Sequence, residues 1–409
     1  MLNYSREGKN LMIYLDWAAS APVYPEVADI VKDVSLKNYA NPSSPHREGE
    51  NAKLMLEGFR VKFASLLGCN PDELIFTSGA TEANNMLLYS FIFERTREIN
   101  IVISGIEHPS VYEPASQLER FGIKLRYVMP DSSGIVIPER LLKKLDNMTR
   151  LVSIIYINNE IGVIQPIKQL VNVVKEAEKR FGRKILFHSD ITQAVGKINI
   201  NLKEIGIDAA TISAHKFGGP RGTGALYLKR DFKLNFLYGG GEQENGRRPG
   251  TENLPGIAGM LKALEIRTSI MEKEYPVARD TTKWLIENLI STELCIMIPQ
   301  LRATGTNEEN TNFSPYILSI SLPPLPGEVT VRSLSEMGIC ISTGSACSSR
   351  KKDRMRTLIN MGIPEDIAGS AIRISYGWYT TKNELEEFLE GIKKLEKLIP
   401  RKNRKFLSR

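Results

Sequence analysis

The sequence of 409 residues is poor in the residues that bind metal ions or form disulfides. It contains four cysteines and four histidines, and no two cysteines form a C-x-x-C pair. The histidines also lack the spacing of metal ligands. The sequence therefore predicts no disulfide framework, no structural zinc site and no other resident metal ion.

Long apolar segments are absent as well. Runs such as Leu151–Ile157 are far shorter than the roughly 20 residues that a membrane-spanning helix needs. The first residues, "MLNYSREGKN", lack the apolar centre of a secretory signal and are too short for a transit peptide. We therefore expect a cytoplasmic protein that does not contact a membrane.

Positive charge is concentrated at one end of the chain. The net charge is +7, and the segment from Lys393 to Arg409 carries eight Lys or Arg and one Glu, so the rest of the chain is balanced. This balance argues against a basic body that follows a nucleic-acid backbone. For the tail we favour a solvated, frayed end, with contact to RNA or an acidic partner as the alternative.

Short apolar runs alternate with helical patterns in the middle of the chain. Strands that alternate with helices form mostly parallel sheets covered on both faces, so we predict an α/β fold. The predicted strands are Leu74–Thr77, Ile101–Ser104, Lys124–Met129, Leu151–Ile157, Ile185–Ser189, Ala209–Ser213 and Thr223–Leu228.

Two helices are predicted from their apolar faces. The earlier helix stops at Gly68, and the later one covers residues 166–180. Their predicted buried positions are Ala52, Met55, Leu56, Phe59 and Phe63 in the earlier helix and Ile167, Leu170, Val171, Val174 and Ala177 in the later one. From Glu252 a long helical pattern runs to about Leu289, and a final helix covers about residues 383–399, which predicts a second, smaller domain.

The segment "FTSGATEANN", Phe76–Asn85, predicts a strand, a tight turn at Gly79 and a helix that starts near Thr81. The free amides of a helix start can bind an anion, and the Thr81 hydroxyl can add a donor. An ordinary helix cap explains this segment equally well.

The segment "ILFHSDITQAVG", Ile185–Gly196, places Asp190 directly after a buried strand. An unpaired carboxylate is costly there, and a protonated pyridine nitrogen is one cation that would relieve the cost. A helix cap or a salt bridge is the plainer interpretation.

The segment "SAHKFGGPRG", Ser213–Gly222, places a lysine between a histidine and a glycine-rich turn. Ser213 and His215 can donate to a phosphate, while Lys216 can condense with an aldehyde as a Schiff base. The turn lacks the order of a P-loop, so Lys216 suits a cofactor better than a nucleotide.

Cys347 lies in the Gly- and Ser-rich stretch "STGSACSS" and is followed by Arg350, Lys351, Lys352, Arg354 and Arg356. Positive neighbours stabilise a thiolate, and a mobile loop lets it reach a substrate. We interpret Cys347 as a reactive thiol, and Cys340, which lies in an apolar run, as a buried structural one.

Together these motifs resemble those of the cysteine desulfurases, which depend on pyridoxal 5'-phosphate. "TSGATEANN", "EHPSV", "NNEIGVIQP", "SDITQAVGK", "SAHKFGGPRG", "RRPGTEN" and "STGSACSS" follow one another in this order. The resemblance runs from about Ile13 to about Leu395, and the segment around Cys347 is similar to the nitrogen-fixation and iron–sulfur-cluster type, which has the longer cysteine loop.

The resemblance implies the fold of a fold-type-I transferase. Its large domain would be a mostly parallel seven-stranded α/β sheet, and its smaller domain an α+β domain built from both chain ends. We expect residues 20–265 to form the large domain, residues 1–19 and 266–395 the small domain with the Cys347 loop, and residues 396–409 the basic tail.

The resemblance also implies roles for particular residues. The catalytic residues would be Lys216, which holds the cofactor as a Schiff base, Cys347, which attacks the substrate sulfur, and His108, which stacks on the ring and assists proton transfer. Arg373 and Asn159 would bind the substrate carboxylate. The remaining cofactor-binding residues would be Asp190 at the pyridine nitrogen, Gln193 at the phenolic oxygen, Thr81, Ser213 and His215 at the phosphate, Ala80, Asn159, and Thr251 of the partner subunit.

The implied reaction removes sulfur from L-cysteine, giving L-alanine and a persulfide on Cys347. The implied partners are a second subunit in a homodimer and a sulfur acceptor, either an iron–sulfur scaffold or a tRNA-thiolation enzyme, and any contact of Cys347 with an iron–sulfur cluster would be transient. Alternatives on the same scaffold are a selenocysteine lyase and a class V aminotransferase, although Cys347 argues against the aminotransferase. A binding module that lost catalysis is disfavoured because all the expected catalytic residues are present.

Overall fold

The computed structural model describes residues 12–93, 98–292, 294–300, 302, 312–344 and 355–399. The chain divides into two units. The first comprises Ser20–Asn158 and Ile164–Tyr275, and the second comprises Met1–Ala19, Asn159–Val163 and Pro276–Arg409.

The first unit contains a seven-stranded sheet. The chain begins with β1 (Ile13–Tyr14) of the second unit and then contributes β2 (Leu74–Thr77), β3 (Asn100–Ser104), β4 (Lys124–Val128), β5 (Thr149–Ser153), β6 (Leu186–Asp190), β7 (Ala209–Ser213) and β8 (Gly224–Leu228). The strand order is β2-β8-β7-β6-β5-β3-β4, with β8 antiparallel to both of its neighbours and the other pairs parallel. All seven predicted strands belong to this sheet, which confirms the mostly parallel α/β prediction.

The predicted strand bounds are correct to within one residue except at β5. The pattern extends that strand to Ile157, whereas it ends at Ser153. The chain turns back beyond this point, because Gln165 N–H donates to the carbonyl of Tyr156 at 2.8 Å and Ile157 forms a single bridge with Ile164. Apolar character continues past Ser153 because the turn itself is buried.

Helices cover the sheet of the first unit. They are α1 (Pro25–Lys37), α2 (Arg47–Leu67), α3 (Ala80–Tyr89), α4 (Pro109–Gln117), α5 (Pro138–Leu142), α6 (Ile167–Phe181), α7 (Leu202–Ile205) and the first part of α8 (Leu254–Ile290). The five predicted apolar residues of α6 are all buried. In α2, which ends at Gly68 with a φ of 66°, Met55 and Phe59 are only half-buried, and Arg60 takes a buried position instead.

Apolar side chains of α3 and α4 form one core with the sheet. Leu87 and Val111 are fully buried against strand residues such as Ile101 and Ile103. Burying a side chain of this size stabilises the fold by about 1.5–3 kcal/mol. This packing fixes the starts of α3 and α4 relative to the strand ends.

The second unit is built from short elements. It contains β1, β9 (Ile296–Ile298), β10 (Ile317–Ser321), β11 (Ile339–Cys340), β12 (Ala371–Ser375), α9 (Gly327–Glu336), α10 (Arg356–Asn360), α11 (Glu365–Gly369) and α12 (Lys382–Leu398). The strands β12-β10-β9 form an antiparallel sheet, and β1 pairs with β11 in parallel. A capping box of Thr381 and Glu384 starts α12, which runs to Leu398, in agreement with the final helix predicted over about residues 383–399.

A buried ion pair anchors the loop between β8 and α8. The guanidinium of Arg60 donates to both carboxylate oxygens of Glu244, at 2.8 and 2.7 Å, and Phe76 N–H donates to the same carboxylate at 2.9 Å. Glu244 and Asn245 have φ angles of 51° and 58°. These angles lie in the left-handed region of backbone conformation, which residues other than glycine rarely adopt. The ion pair holds this strained turn in place.

We predict that Glu244→Gln destabilises the first unit by about 3 kcal/mol, because it leaves the buried Arg60 charge without its bidentate partner. Urea unfolding of the variant would measure the loss. Asp72→Asn is the control, since the Asp72–Arg230 pair at 2.7 Å is exposed and surface pairs contribute little. Equal losses for both variants would contradict this account of the loop.

Candidate active site

The start of α3 and the end of β7 come together in the first unit. Gly79 is the N-cap of α3, and a Cβ atom on Gly79 would lie 3.5 Å from Oγ of Ser213. A Cβ on Gly224 would lie 2.5 Å from Cα of Gly79, so only glycine fits at that point of β8. Ala80 is buried and Thr81 is exposed at the first turn of the helix. The structure therefore brings the unpaired amides of a helix start beside a serine hydroxyl, an arrangement that suits an anion.

Asp190 is the last residue of β6 and is only 3% exposed. One carboxylate oxygen accepts a hydrogen bond from Nδ2 of Asn84 at 3.2 Å, and the other accepts from Thr192 N–H at 3.0 Å. These two donors offset part of the cost of burying the carboxylate. The bond from Thr192 N–H is of the capping kind, whereas the bond from Asn84 comes from a separate helix.

The amide of Gln193 is oriented by a buried lysine. Nζ of Lys197 donates to Oε1 of Gln193 at 2.5 Å, and the two residues are 6% and 3% exposed. A lysine ammonium has only donors, so the amide oxygen must face Lys197, which leaves Nε2 as the donor of the Gln193 amide. Sequence reasoning assigned no role to Lys197, although the spacing of four residues places it one helical turn from Gln193.

His215 and Lys216 follow β7 in a short 3-10 turn, and both are half-buried. Burial, together with the nearby positive charges of Lys216, Arg221 and Lys197, lowers the pKa of His215 to about 4. His215 is therefore neutral at pH 7 and lies among cationic groups. Such a concentration of positive charge favours an anionic ligand.

His188 is a fully buried histidine on β6 that sequence reasoning missed. Its Nδ1 lies 2.8 Å from Oγ of Ser153. Burial lowers the pKa of His188 to about 4, while the nearby charge of Asp190 acts in the opposite direction. The alternation of side chains along a strand places His188 on the same face as Asp190, and this period-two spacing is the signal that sequence reasoning could have used.

His108 begins α4 as its N-cap residue and is half-buried. Its Nδ1 accepts a hydrogen bond from Ser110 N–H at 3.1 Å and lies 2.8 Å from Oγ of the same serine. Oγ of Ser110 also accepts from Nδ2 of Asn84 at 2.9 Å. The fully buried Asn84 thus contacts both Asp190 and the serine beside His108, a connection absent from the sequence pattern.

Arg373 lies on β12 of the second unit and is 3% exposed. Its Nη1 donates to the carbonyls of Asn159 and Gly344 at 2.9 and 3.0 Å, and Nη2 donates to Asp16 at 2.7 Å. Its Nε is buried without a hydrogen-bond partner. An unmatched donor on an arginine costs about 1–3 kcal/mol, which a bound carboxylate would recover.

Glu160 is a second buried group of this unit that sequence reasoning missed. It accepts a hydrogen bond from Oγ1 of Thr357 at 2.8 Å, and burial raises its pKa. A Cβ on Gly344 would lie 3.0 Å from its Oε2, so the carboxyl group packs closely against that glycine. Gly344 and Thr357 flank the stretch that contains Cys347, and Cys347 itself lies outside the described residues.

Thr251 and the residues near it lie at the surface of the first unit. Thr251 is exposed, and near it Arg248 forms an ion pair of 2.8 Å with Glu82 of α3. Among the described residues, no group of three or more His, Cys, Asp or Glu could hold a metal ion. Within the same ranges, no helix is both long and apolar enough to cross a membrane.

Comparison with known proteins agrees with this architecture. The family described as aminotransferase class-V matches residues 13–388. A protein named cysteine desulfurase IscS from Dictyoglomus turgidum is 38% identical, with 94% of this chain and 95% of that protein covered. Another of that name from Methanosarcina thermophila is 35% identical, with 95% of this chain and 93% of that protein covered.

A solved structure described as a NifS-like protein has the same fold. It superposes with a TM-score of 0.86 at 34% identity, covering 95% of this chain and all of that chain. The chain belongs to the class-V aminotransferase family. Within that family it groups with proteins that carry the name cysteine desulfurase.

The buried histidines predict how stability depends on pH. The pKa of His188 falls from 6.5 to about 4 on folding, so the unfolded chain binds more protons between these values. The free energy of unfolding should therefore be greatest above pH 6.5 and should decrease as the pH falls toward 4. Urea unfolding at pH 7 and pH 5 should show a loss of roughly 1–2 kcal/mol from His188.

The variant His188→Gln should weaken this pH dependence because the glutamine does not titrate. His46→Gln is the matched control, since His46 lies at the exposed start of α2 with Nδ1 accepting from Gly49 N–H at 3.1 Å. A pH slope that is unchanged in His188→Gln would refute the assignment to His188.

Proposed function

We propose that this protein is a cysteine desulfurase that uses pyridoxal 5'-phosphate. L-Cysteine and the Cys347 thiol react to give L-alanine and a Cys347 persulfide, so the sulfur atom moves to the enzyme and every hydrogen atom is accounted for. The observation that carries the proposal lies in the first unit. This unit contains Lys216, the buried carboxylate of Asp190 and a positively charged site that would bind an anion. Relatives of the same family and near-equal length carry this name.

The residues present fit the cofactor. Lys216 offers an amine for its aldehyde, Asp190 a carboxylate for its pyridine nitrogen, and Gln193 a donor for its phenolic oxygen. The phosphate would be held by the start of α3 with Ala80 and Thr81, and by Ser213 and His215. When bound, the cofactor supplies an electron sink that stabilises negative charge on the substrate's α-carbon.

The proton-moving groups of the first unit have defined environments. Lys216 would take the proton from the α-carbon, because a neutral amine is a base of suitable reach. Burial and the nearby cations keep His215 neutral, so this histidine would serve the phosphate as a hydrogen-bond partner rather than as a charge. His108 would assist from the start of α4, where its ring is fixed by Ser110.

Arg373 would bind the substrate carboxylate. Two of its nitrogens are held by Asn159, Gly344 and Asp16, and its Nε is buried without a hydrogen-bond partner. A carboxylate that reached Nε would pair a donor that otherwise has no partner. Asn159 would help from the adjacent backbone segment of the same unit.

Cys347 is the thiol best suited to accept sulfur. Burial raises the pKa of Cys69 and of Cys295 to about 12 and also raises the pKa of Cys340, so these three thiols stay protonated. Cys347 instead stands in a sequence rich in glycine, serine and cations. A thiolate is the nucleophilic form, so the environment of Cys347 favours it over the other three.

The proposal includes a homodimer and a sulfur acceptor. Thr251 is exposed, as expected if it reaches the phosphate of a second subunit. The persulfide would pass to an iron–sulfur scaffold or a tRNA-thiolation enzyme in the cytoplasm. The charge of the basic segment from Lys393 to Arg409 would suit an acidic partner.

We predict that the purified protein absorbs at about 400–430 nm and that borohydride removes this band. Lys216→Ala should lack the band, because it has no amine at this position. Lys197→Ala is the control for loss of a nearby lysine and should keep a visible band. A colourless wild-type protein that does not take up pyridoxal phosphate would refute the proposed cofactor.

We predict that Cys347→Ser abolishes persulfide formation and lowers sulfide release from L-cysteine by at least about a hundredfold, since a serine hydroxyl cannot carry the sulfur. The 400–430 nm band should be retained, at about its wild-type intensity. Cys295→Ser, which removes a half-buried thiol whose pKa is raised, should release sulfide and alanine normally. Normal release by Cys347→Ser would refute the role of this thiol, and a parallel assay with selenocysteine would rank the two substrates.

A further inference from the structure

Asn84 is a fully buried amide on α3 that contacts two separate parts of the candidate site. Its Nδ2 donates one hydrogen to Oδ2 of Asp190 at 3.2 Å and the other to Oγ of Ser110 at 2.9 Å. Its Oδ1 is buried without a hydrogen-bond partner. The side chain thus uses both donors and leaves its acceptor unmatched, which is a costly arrangement for a residue that only fills space.

The orientation of this amide is determined by Asp190. A carboxylate only accepts hydrogen bonds, so it must face Nδ2 rather than Oδ1 of Asn84. The same nitrogen then necessarily donates to Oγ of Ser110. The Asp190 carboxylate therefore sets the direction of the hydrogen bond between Asn84 and Ser110.

The next bond in the network defines the protonation of His108. Ser110 N–H is a backbone donor, and it points at Nδ1 of His108 at 3.1 Å. Since Oγ of Ser110 accepts from Asn84, its single hydrogen is available for Nδ1 at 2.8 Å. Two donors directed at Nδ1 require an unprotonated nitrogen, so the neutral ring carries its proton on Nε2.

We propose that Asn84 is a positioning residue that holds the Asp190 carboxylate and, through Ser110, fixes His108 as the Nε2–H tautomer. The inference rests on the proposed function, in which Asp190 and His108 both serve the cofactor. His108 then presents a hydrogen-bond donor at Nε2 to the reacting groups. The amide of Asn84 thus orients both Asp190 and His108, which lie 82 positions apart in the sequence.

The tautomer of His108 can be read directly from the ¹⁵N chemical shifts of protein labelled at histidine. The chain has only four histidines, so few signals need to be assigned. The holoenzyme is measured and the His108 signals are assigned with His108→Gln. We expect Nδ1 of His108 to resonate as an unprotonated nitrogen and Nε2 as a protonated one. A protonated Nδ1 in the neutral ring would overturn the proposal.

Variants test the role of Asn84 against a purely structural one. Ser110→Ala removes the hydroxyl but keeps the backbone donor, and it should raise the Nδ1-protonated fraction of His108 and lower kcat about three- to tenfold with KM little changed. Asn84→Ala should lower kcat on the order of ten- to a hundredfold, the usual effect of removing a group that orients a site residue. Asn85→Ala is the matched control, because Nδ2 of Asn85 donates instead to the carbonyl of Thr81 at 2.7 Å, and it should stay within about twofold of wild type.

The double variant Asn84→Ala/Ser110→Ala separates the network from two independent effects. If Asn84 acts on His108 through Ser110, the double variant should be about as slow as Asn84→Ala alone. Effects that multiply in full, or an unchanged His108 tautomer in Ser110→Ala, would overturn the proposal. If Asn84→Ala does not fold, the wild-type shifts and Ser110→Ala still decide the matter.

Failure of the proposed function gives a different result. A protein that binds no pyridoxal phosphate and releases no sulfide loses the proposed function, while its His108 signals still report the tautomer. A protein that is yellow and active but has Nδ1 of His108 protonated keeps the function and loses the role of Asn84.

Discussion

The burial of the Asp190 carboxylate at the end of β6 is the constraint around which the polar residues of the first unit are arranged. A carboxylate that is 3% exposed needs donors, and Asn84 and Thr192 N–H supply them. Because Asp190 needs donors, the amide of Asn84 must face it with its nitrogen. The same nitrogen then donates to Ser110, which sets the direction of the hydrogen bond that the Ser110 hydroxyl makes. In this way one desolvated charge determines the orientation of side chains from β6, α3 and α4.

The first unit separates charged from neutral groups within a small volume. His188 and His215 are kept neutral because burial lowers the pKa of each to about 4. Lys197 and Lys216 lie near His215, and the start of α3 adds its amides. The result is a site that attracts an anion while His188 and His215 act as neutral hydrogen-bond partners, which suits a phosphorylated cofactor.

In the second unit, a buried charged group, the guanidinium of Arg373, is also held in place by hydrogen bonds. Arg373 is nearly enclosed, and its nitrogens are held by two backbone carbonyls and by Asp16. Restraining the side chain in this way reduces the entropy lost when a carboxylate binds. Glu160, whose pKa is raised by burial, packs closely beside Gly344 in the same unit.

The sequence alone determined the layered fold, and it predicted the main residues of the site. Seven apolar runs predicted the seven strands because strands buried on both faces are continuously apolar, and the ends of β6 and β7 were marked by Asp190 and Ser213. The motif order also predicted chemical roles for Lys216 and Cys347. These features are local, so a linear pattern can record them.

Only the tertiary structure decided which polar groups meet. Asn84 precedes Asp190 by 106 residues, and Lys197 and His188 are ordinary positions in their segments until the fold buries them beside Gln193 and Ser153. The early end of β5 and the assignment of Asn159–Val163 to the second unit depend equally on long-range pairing. Hydrogen-bond direction and burial are properties of neighbours in space, and that is why the sequence could name the site residues but not orient them.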